Sequence, residues 1–417
     1  MQQHTLPAPG KAKGIPVEAL GPRISIYTPE FAADPHRAYK QMRENYGPLV
    51  PVELAPGLAA TLVIDYRTAV NILTDPEHFS ADPREWQKTL HDRTWPILAM
   101  LEWRPNALRS NGEEHVRYRR ATHDALAGIN QYGLRALVES TAVGQVNTFC
   151  RSGSADLLSQ YCLPVVFAVV TQIIGCTPEL GEKLVAASAA LFDGQDNAEE
   201  LFDSALRELT WLKRTNPGDD VTTRLVQHPA KLTDDEMVQQ LLTIISAAIE
   251  VPQNWIANTL LLMLTDRRRF IADINRGLPP STSAALAEGL FTNPPMACYC
   301  LTYPVQPILA GTVWLPAHQP VIISMTACNS SPEVNTGQYT GNDSHLAFGA
   351  GPHACPKPAR IVAELMAETA IDQLLDFLPE IRLAIPAEEL EWRPGPLHRA
   401  LSTLPVIFPP SPTQHIL

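Results

Sequence analysis

The sequence predicts a mainly α protein with a small β part, and three observations carry that prediction. From about residue 115 to 265 the apolar spacing is almost wholly helical. Before it, Val50-Pro-Val-Glu-Leu54 and Ala60-Thr-Leu-Val-Ile64 flank Ala55-Pro-Gly57 as two paired strands would. The chain also holds 38 prolines in 417 residues, above the usual share of about 5%, and scatters them, as in long helices joined by many loops.

Residues 1–30 read as a loosely held arm before the folded body at 31–417. Asp34-Pro35 opens a helix that runs to Tyr46, where Gly47-Pro48 ends it. Tyr66 to Thr74 is a further helix, stopped by Asp75-Pro76. The long helical region breaks at Asn216-Pro-Gly-Asp-Asp220 and at His228-Pro229. Within Leu232-Thr-Asp-Asp-Glu236, Thr233 or Asp234 caps the next helix and acids fill its first turn. Cys298 and Cys300 alternate as neighbours on one face of a strand. There are no repeats and no low-complexity segments.

Charge and cysteine usage exclude several classes. A net charge of −12 argues against a nucleic-acid binder, which needs a basic face. Seven cysteines, an odd number without framework spacing, predict free thiols in a reducing compartment. Met1-Gln-Gln-His-Thr5 has neither the basic nor the apolar region of a signal peptide. Leu241 to Leu264 is the richest apolar run, but Glu250, Pro252, Gln253 and Asn254 make it a buried helix and not a membrane span. The expectation is a soluble, cytoplasmic protein with no membrane and no nucleic-acid partner.

The most informative stretch is His345-Leu-Ala-Phe-Gly-Ala-Gly-Pro-His-Ala-Cys-Pro-Lys-Pro-Ala-Arg-Ile-Val-Ala-Glu364, a glycine-rich loop with one cysteine that opens a helix. A cysteine so placed can present a thiolate to a haem iron and push electron density onto the metal. Phe348 can shield the sulfur, Gly349 and Gly351 allow a tight turn, and His353 can reach a haem propionate. N–H groups opening the helix would stabilise a negative Cys355 sulfur.

The pattern Phe-Gly-x-Gly-x-His-x-Cys resembles the haem-ligand loop of the cytochrome P-450 superfamily. The likeness extends from Asp34-Pro35 to Pro405-Val-Ile-Phe408, taking in Asp75-Pro-Glu-His-Phe-Ser80, Pro217-Gly-Asp-Asp220 and the terminal Trp392-Arg-Pro-Gly-Pro396. It fits the soluble bacterial members best. The resemblance implies one mainly helical P-450 domain, haem b (iron-protoporphyrin IX) as cofactor, and Cys355 as the metal ligand. It also implies that His115 and Arg119, four apart on one helical face, clamp the haem propionates together with His353. The family's further arginine, in the strand after a Pro-Pro pair, falls here on Leu301.

Two more departures stand out. Where the family has Ala-Gly-x-acid-Thr above the haem, this chain has Ala247, Ala248, Glu250 and Val251, so the alcohol is missing. Pro252 lacks an N–H and frees the Ala248 carbonyl, which implies that a groove for dioxygen survives. Proton delivery then falls to Glu250 through water, with Ser246, Gln253 or Asn254 as helpers. Second, the family's Glu-x-x-Arg reads Glu288-Gly-Leu-Phe291, and Asn335 to Ser344 offers no basic residue either. Glu288 is therefore expected to find hydrogen-bond donors, face water or sit protonated. A few actinobacterial members lack this arginine, and the chain resembles them.

The resemblance implies a monooxygenase that inserts one oxygen atom into a small apolar organic substrate, with electrons from a ferredoxin and its reductase. Lys357, Arg117, Arg120 and Arg360 are expected to form a basic docking face for that acidic partner. The alternatives are a peroxide-driven haem-thiolate enzyme and a non-catalytic haem-bearing regulatory protein. Specificity is expected in 82–100, 160–200 and 393–402, where Trp86, Trp95, Trp103 and Phe192 either line a pocket or fill core.

Overall fold

A capping box starts the helix on which the rest of the site hangs. The Thr233 side chain accepts the Glu236 amide while the Glu236 carboxylate accepts the Thr233 amide, and three acids fill the first turn. The computed structural model, which describes residues 14–91, 95–192, 198–270 and 282–414, gives this helix 32 residues, Asp234–Thr265. It continues without a break through Pro252. There the ladder lacks one N–H, and the Asn254 side chain donates to the Glu250 carbonyl at 2.8 Å.

From Pro252 to Leu260 the long helix is wholly buried. It packs on Leu163–Ile174, on Ala198–Thr215 and on Lys357–Phe377, and the last of these lies along Gln131–Val146. One apolar core joins them, with Val165, Leu260 and Leu374 among its fully buried members. Each such side chain contributes about 1.5–3 kcal/mol by leaving water. A second link is ionic: Arg117 and Tyr118 of Gly112–Ala127 both hold Glu236 at the start of the long helix.

The β part is a six-stranded sheet in the order Ile24–Ser25, Leu49–Glu53, Ala59–Val63, Val321–Ser324, Cys298–Pro304 and Phe79–Ser80. The pair expected around Ala55-Pro-Gly57 is there and antiparallel, with Val52 opposite Ala60. Asp34 accepts the Arg37 amide at the start of Pro35–Tyr46, and Gly47 ends that helix with φ of 79°. Pro405–Ile407 pairs with Arg382–Leu383 and with Ser154–Asp156.

Two expectations are corrected. Residues 1–13 of the proposed arm lie outside the described residues, but 14–30 are tied down. Ile15–Pro16 pairs with Val313-Trp314, Ile24–Ser25 pairs with Val52-Glu53, and Val17 is fully buried. The region 115–265 is almost wholly helical as expected, with the short strand Ser154–Asp156 completing the sheet of the C-terminal strand. Cys298 and Cys300 do not share one apolar environment: the ladder shifts register beside them and Cys300 has φ of 54°. Cys298 packs against Tyr39, whereas Cys300 lies against Gly349 of the glycine-rich loop.

Candidate haem site

Glycine is required where the loop passes closest to the rest of the chain. A Cβ on Gly351, whose φ is 70°, would sit 2.0 Å from the Leu73 carbonyl oxygen. The turn brings the Cys355 amide to the Phe348 carbonyl at 2.8 Å. Arg360, one turn into Lys357–Phe377, donates through Nε to the Cys355 carbonyl at 2.9 Å and lays its guanidinium 5.2 Å from the Phe348 ring centroid. Burial pushes the Cys355 thiol up, while Arg360 and Arg119 pull it down. A metal would remove the opposition, since a coordinating thiol is deprotonated outright.

Beside this loop the structure brings His115, Arg119 and His353 together. The two imidazole rings stack at 4.1 Å, Arg119 donates to the Ala354 carbonyl, and His353 Nε2 lies 2.9 Å from the Ser110 carbonyl. His115 is 6% exposed and its Nε2 is buried with no partner. Burial, with His353 and Arg119 nearby, drives it down to about 4. Among the described residues no carboxylate pairs with either imidazole or with Arg119. Arg119 with two imidazoles, one of them buried with an unpartnered Nε2, and no paired acid among the described residues fits the two propionates of a haem. Leu301, where the family's strand arginine falls, is 3% exposed in an apolar cluster.

The place of the missing Glu-x-x-Arg cation is filled by aromatics. Phe291 is 1% exposed, with its ring 5.2 Å from those of both Tyr339 and His345, and His345 continues the contact to Phe348 at 5.6 Å. Trp255 of the long helix meets Phe348 edge to face at 6.0 Å, so one aromatic chain joins the distal helix to the cysteine loop. His345 belongs to it as a neutral ring, since burial takes it down to about 4. Sequence alone leaves Glu288 without a cation; in the structure Arg269 grips both its oxygens, Nη1 to Oε1 at 3.0 Å and Nη2 to Oε2. The signal was the Arg267-Arg268-Arg269 run after the long helix, whose last residue bonds Glu288 though 19 residues away in sequence.

On the long helix Ser246 and Ala247 are exposed, Ala248 and Val251 are partly so, and Glu250 points at a ready set of donors. Gln253 Nε2 donates to its Oε2 at 2.7 Å, Asn254 Nδ2 to its Oε1 at 3.0 Å, and Arg393 forms an ion pair with Oε1. Arg393 comes from the terminal hairpin, where its amide bonds to the Ala400 carbonyl at 2.8 Å. Sequence reasoning quoted that hairpin but missed the partnership. Ser246 makes no hydrogen bond to Glu250 among the described residues.

The expected basic face is smaller than four residues. Arg117 is turned onto Glu236 and the Ala230 carbonyl, and Arg360 onto the cysteine loop, because each finds a fixed acceptor there. Lys357 stays exposed, and Arg120 reaches only Asp124 at 3.8 Å. Trp86 fills core against Tyr303 at 4% exposure, Trp95 Nε1 bonds to the Pro56 carbonyl at 2.9 Å, and Trp103 lies under Arg84. The side chain of Phe192 lies outside the described residues.

No family model matches the chain. It is 27% identical over 404 residues to cytochrome P450 107B1 of Saccharopolyspora erythraea, covering 92% of this chain and 98% of that one. With the cytochrome P450 monooxygenase PikC of Streptomyces venezuelae it shares 27% over 394 residues, covering 90% and 92%. Among solved structures, CYP154C4 from Streptomyces sp. W2061 matches with a TM-score of 0.81 at 26% identity over 93% of this chain and 98% of the other. CYP154A1 from Streptomyces coelicolor A3(2) gives 0.78 at 26% over 93% and 100%. No described helix is long and apolar enough to cross a membrane. The chain is thus similar over most of its length to bacterial cytochromes P450, and its partly buried cysteine loop, beside a basic cluster that no described carboxylate pairs with, fits haem b as cofactor.

Proposed function

We propose that this protein is a haem-thiolate monooxygenase in which Cys355 would ligate the iron, His115, Arg119 and His353 would hold the propionates, and a ferredoxin would supply the electrons. The observation that carries the reading is the Cys355 loop against Arg119 and two stacked imidazoles, none of which pairs with a carboxylate among the described residues. Bound haem supplies the dioxygen chemistry. The Cys355 thiolate would push electron density toward the iron and Phe348 would shield the sulfur, while Arg360 fixes the Cys355 carbonyl.

On the distal side Glu250 holds the transferable proton at a carboxylate oxygen. Val251 offers no hydroxyl, so water must bridge from Glu250. Gln253, Asn254 and Arg393 fix the carboxylate's direction. That arrangement supplies protons less directly than an acid–alcohol pair. It favours, as a second reading, turnover driven by peroxide, which brings its own protons.

Electron delivery is proposed at the groove between Gly112–Ala127 and Lys357–Phe377, lined by His123, Leu126, Ile129, Lys357, Ile361 and Val362. It lies beside the cysteine loop, and Lys357, with Arg120 on the same helix as His123, would steer an acidic ferredoxin. Named relatives include a 6-deoxyerythronolide B hydroxylase, a vitamin D(3) 25-hydroxylase and a 2-hydroxy-5-methyl-1-naphthoate 7-hydroxylase. Substrates so dissimilar do not transfer, and the proposal stays at a small apolar organic molecule.

Spectral titration of the purified haem protein with a panel of such molecules, followed by turnover of the best binder, tests the reading. Product should form with ferredoxin and reductase. Product with hydrogen peroxide alone supports the second reading, and no product with either contradicts both.

A further inference from the structure

We infer that Arg109 is a further partner of the haem propionates, delivered from the loop before the clamp helix in place of the strand arginine that this chain lacks. The inference rests on the reading of His115, Arg119 and His353 as the propionate clamp.

The loop is built to hold Arg109 still. Asn106 Oδ1 accepts the amides of Leu108 and Arg109, each at 3.0 Å, and its Nδ2 donates to Thr243 Oγ1 of the long helix at 2.9 Å. Ser110 Oγ closes the turn on the Asn106 carbonyl at 2.7 Å. Arg109 itself is 3% exposed. Its Nη2 donates to the Met100 carbonyl and to Tyr299 Oη at 3.0 Å, with the guanidinium 5.6 Å from the Tyr299 ring centroid. Both partners are neutral, and no carboxylate pairs with Arg109 among the described residues.

A guanidinium does not lose its proton in a protein, so this is a buried positive charge without an anion. Its place says which anion is meant. The adjoining Ser110 carbonyl lies 2.9 Å from His353 Nε2, and Cys300, next to Tyr299 on its strand, touches Gly349 of the cysteine loop. Tyr299, which receives Arg109, belongs to Cys298–Pro304, the strand on which the family's arginine would stand. The cation has moved to the neighbouring element and reaches the same strand from outside. A propionate would neutralise it with a planar carboxylate suited to its fork.

The test pairs the residue with the group. Wild type, Arg109→Met and Arg109→Lys are each reconstituted with haem and with its dimethyl ester, whose propionates carry no charge. Haem loss to excess apomyoglobin is then timed. With haem, Arg109→Met should lose the group about tenfold faster than wild type, the size of one charge-assisted bond, and Arg109→Lys should lie between. With the ester the three proteins should release at nearly one rate, since the partner charge is gone. Equal acceleration by Arg109→Met with haem and with ester would overturn the inference, because the effect would then come from the fold. If Arg109→Met does not fold, Arg109→Lys enters the same comparison with the same criterion. Wild type that holds the ester as firmly as haem would instead overturn the propionate reading of the whole cluster.

Discussion

Removing Arg269 isolates the replacement brace. An exposed ion pair contributes up to about 1 kcal/mol, and losing one partner of a buried pair costs about 3–5 kcal/mol. Glu288 is 7% exposed while the Arg269 side chain is 48% exposed, which puts Arg269→Met between the two limits, near about 2 kcal/mol. Unfolding entropy of about 2.1 cal/mol/K per residue converts this into a fall of about 2 °C for a chain of this length. Haem-loaded wild type, Arg269→Met, Glu288→Gln and the double variant are compared by calorimetry at one scan rate, since unfolding of a haem protein this size need not be reversible. Glu288→Gln should cost less than Arg269→Met, because it leaves no buried charge, and the double variant should fall short of the sum of the two singles. At high salt the Arg269→Met deficit should shrink but not vanish, as half the pair is out of reach of ions. Equal midpoints for wild type and Arg269→Met, or strictly additive singles, would refute the claim that Arg269 braces Glu288.

Phe291→Arg should lower the midpoint, because the new guanidinium enters a slot between Tyr339 and His345 while Glu288 is already held; a higher midpoint with full haem content would count against it. Electrons from a ferredoxin system should appear largely as hydrogen peroxide in wild type, with coupling improved by Val251→Thr and turnover slowed by Glu250→Gln, and tight wild-type coupling would point to another proton route. Glu236 gives an acid-dependent term: the hydrogen bond from Arg117 holds it down to about 2 from an ordinary 4.5. A depressed carboxylate stabilises fully above its unfolded value and loses that contribution as pH falls from 4.5 toward about 2. Between about pH 6 and about pH 3 the denaturant midpoint of wild type should therefore fall further than that of Glu236→Gln.

Local chemistry was legible where the residue and its partner are close in the chain. The caps at Asp34 and Thr233, the strand pair around Ala55-Pro-Gly57 and the glycine turn before Cys355 all follow from backbone rules acting over a few residues. His115 and Arg119 were legible as a pair because a helix sets them on one face, though their meeting with His353 needed the fold. What the sequence hid is substitution across elements. A missing arginine at 291 says nothing about where a cation will come from, and Arg269 reaches Glu288 from a separate short helix, Arg267–Phe270. The same holds for Arg393 on Glu250, 143 residues apart, and for Arg109 against Tyr299. Arg117 was misjudged for the converse reason, since its acceptor Glu236 lies 119 residues on.

The central claim is that Cys355 holds the haem iron through its thiolate. The absorption spectrum of the ferrous carbonyl complex tests it most directly, because a thiolate donor shifts the Soret band strongly to the red. Wild type should show that band, and so should Cys300→Ala, which removes the thiol packed against Gly349. Cys355→Ala should lose it even where haem is still bound. A red-shifted band that survives in Cys355→Ala would contradict the account.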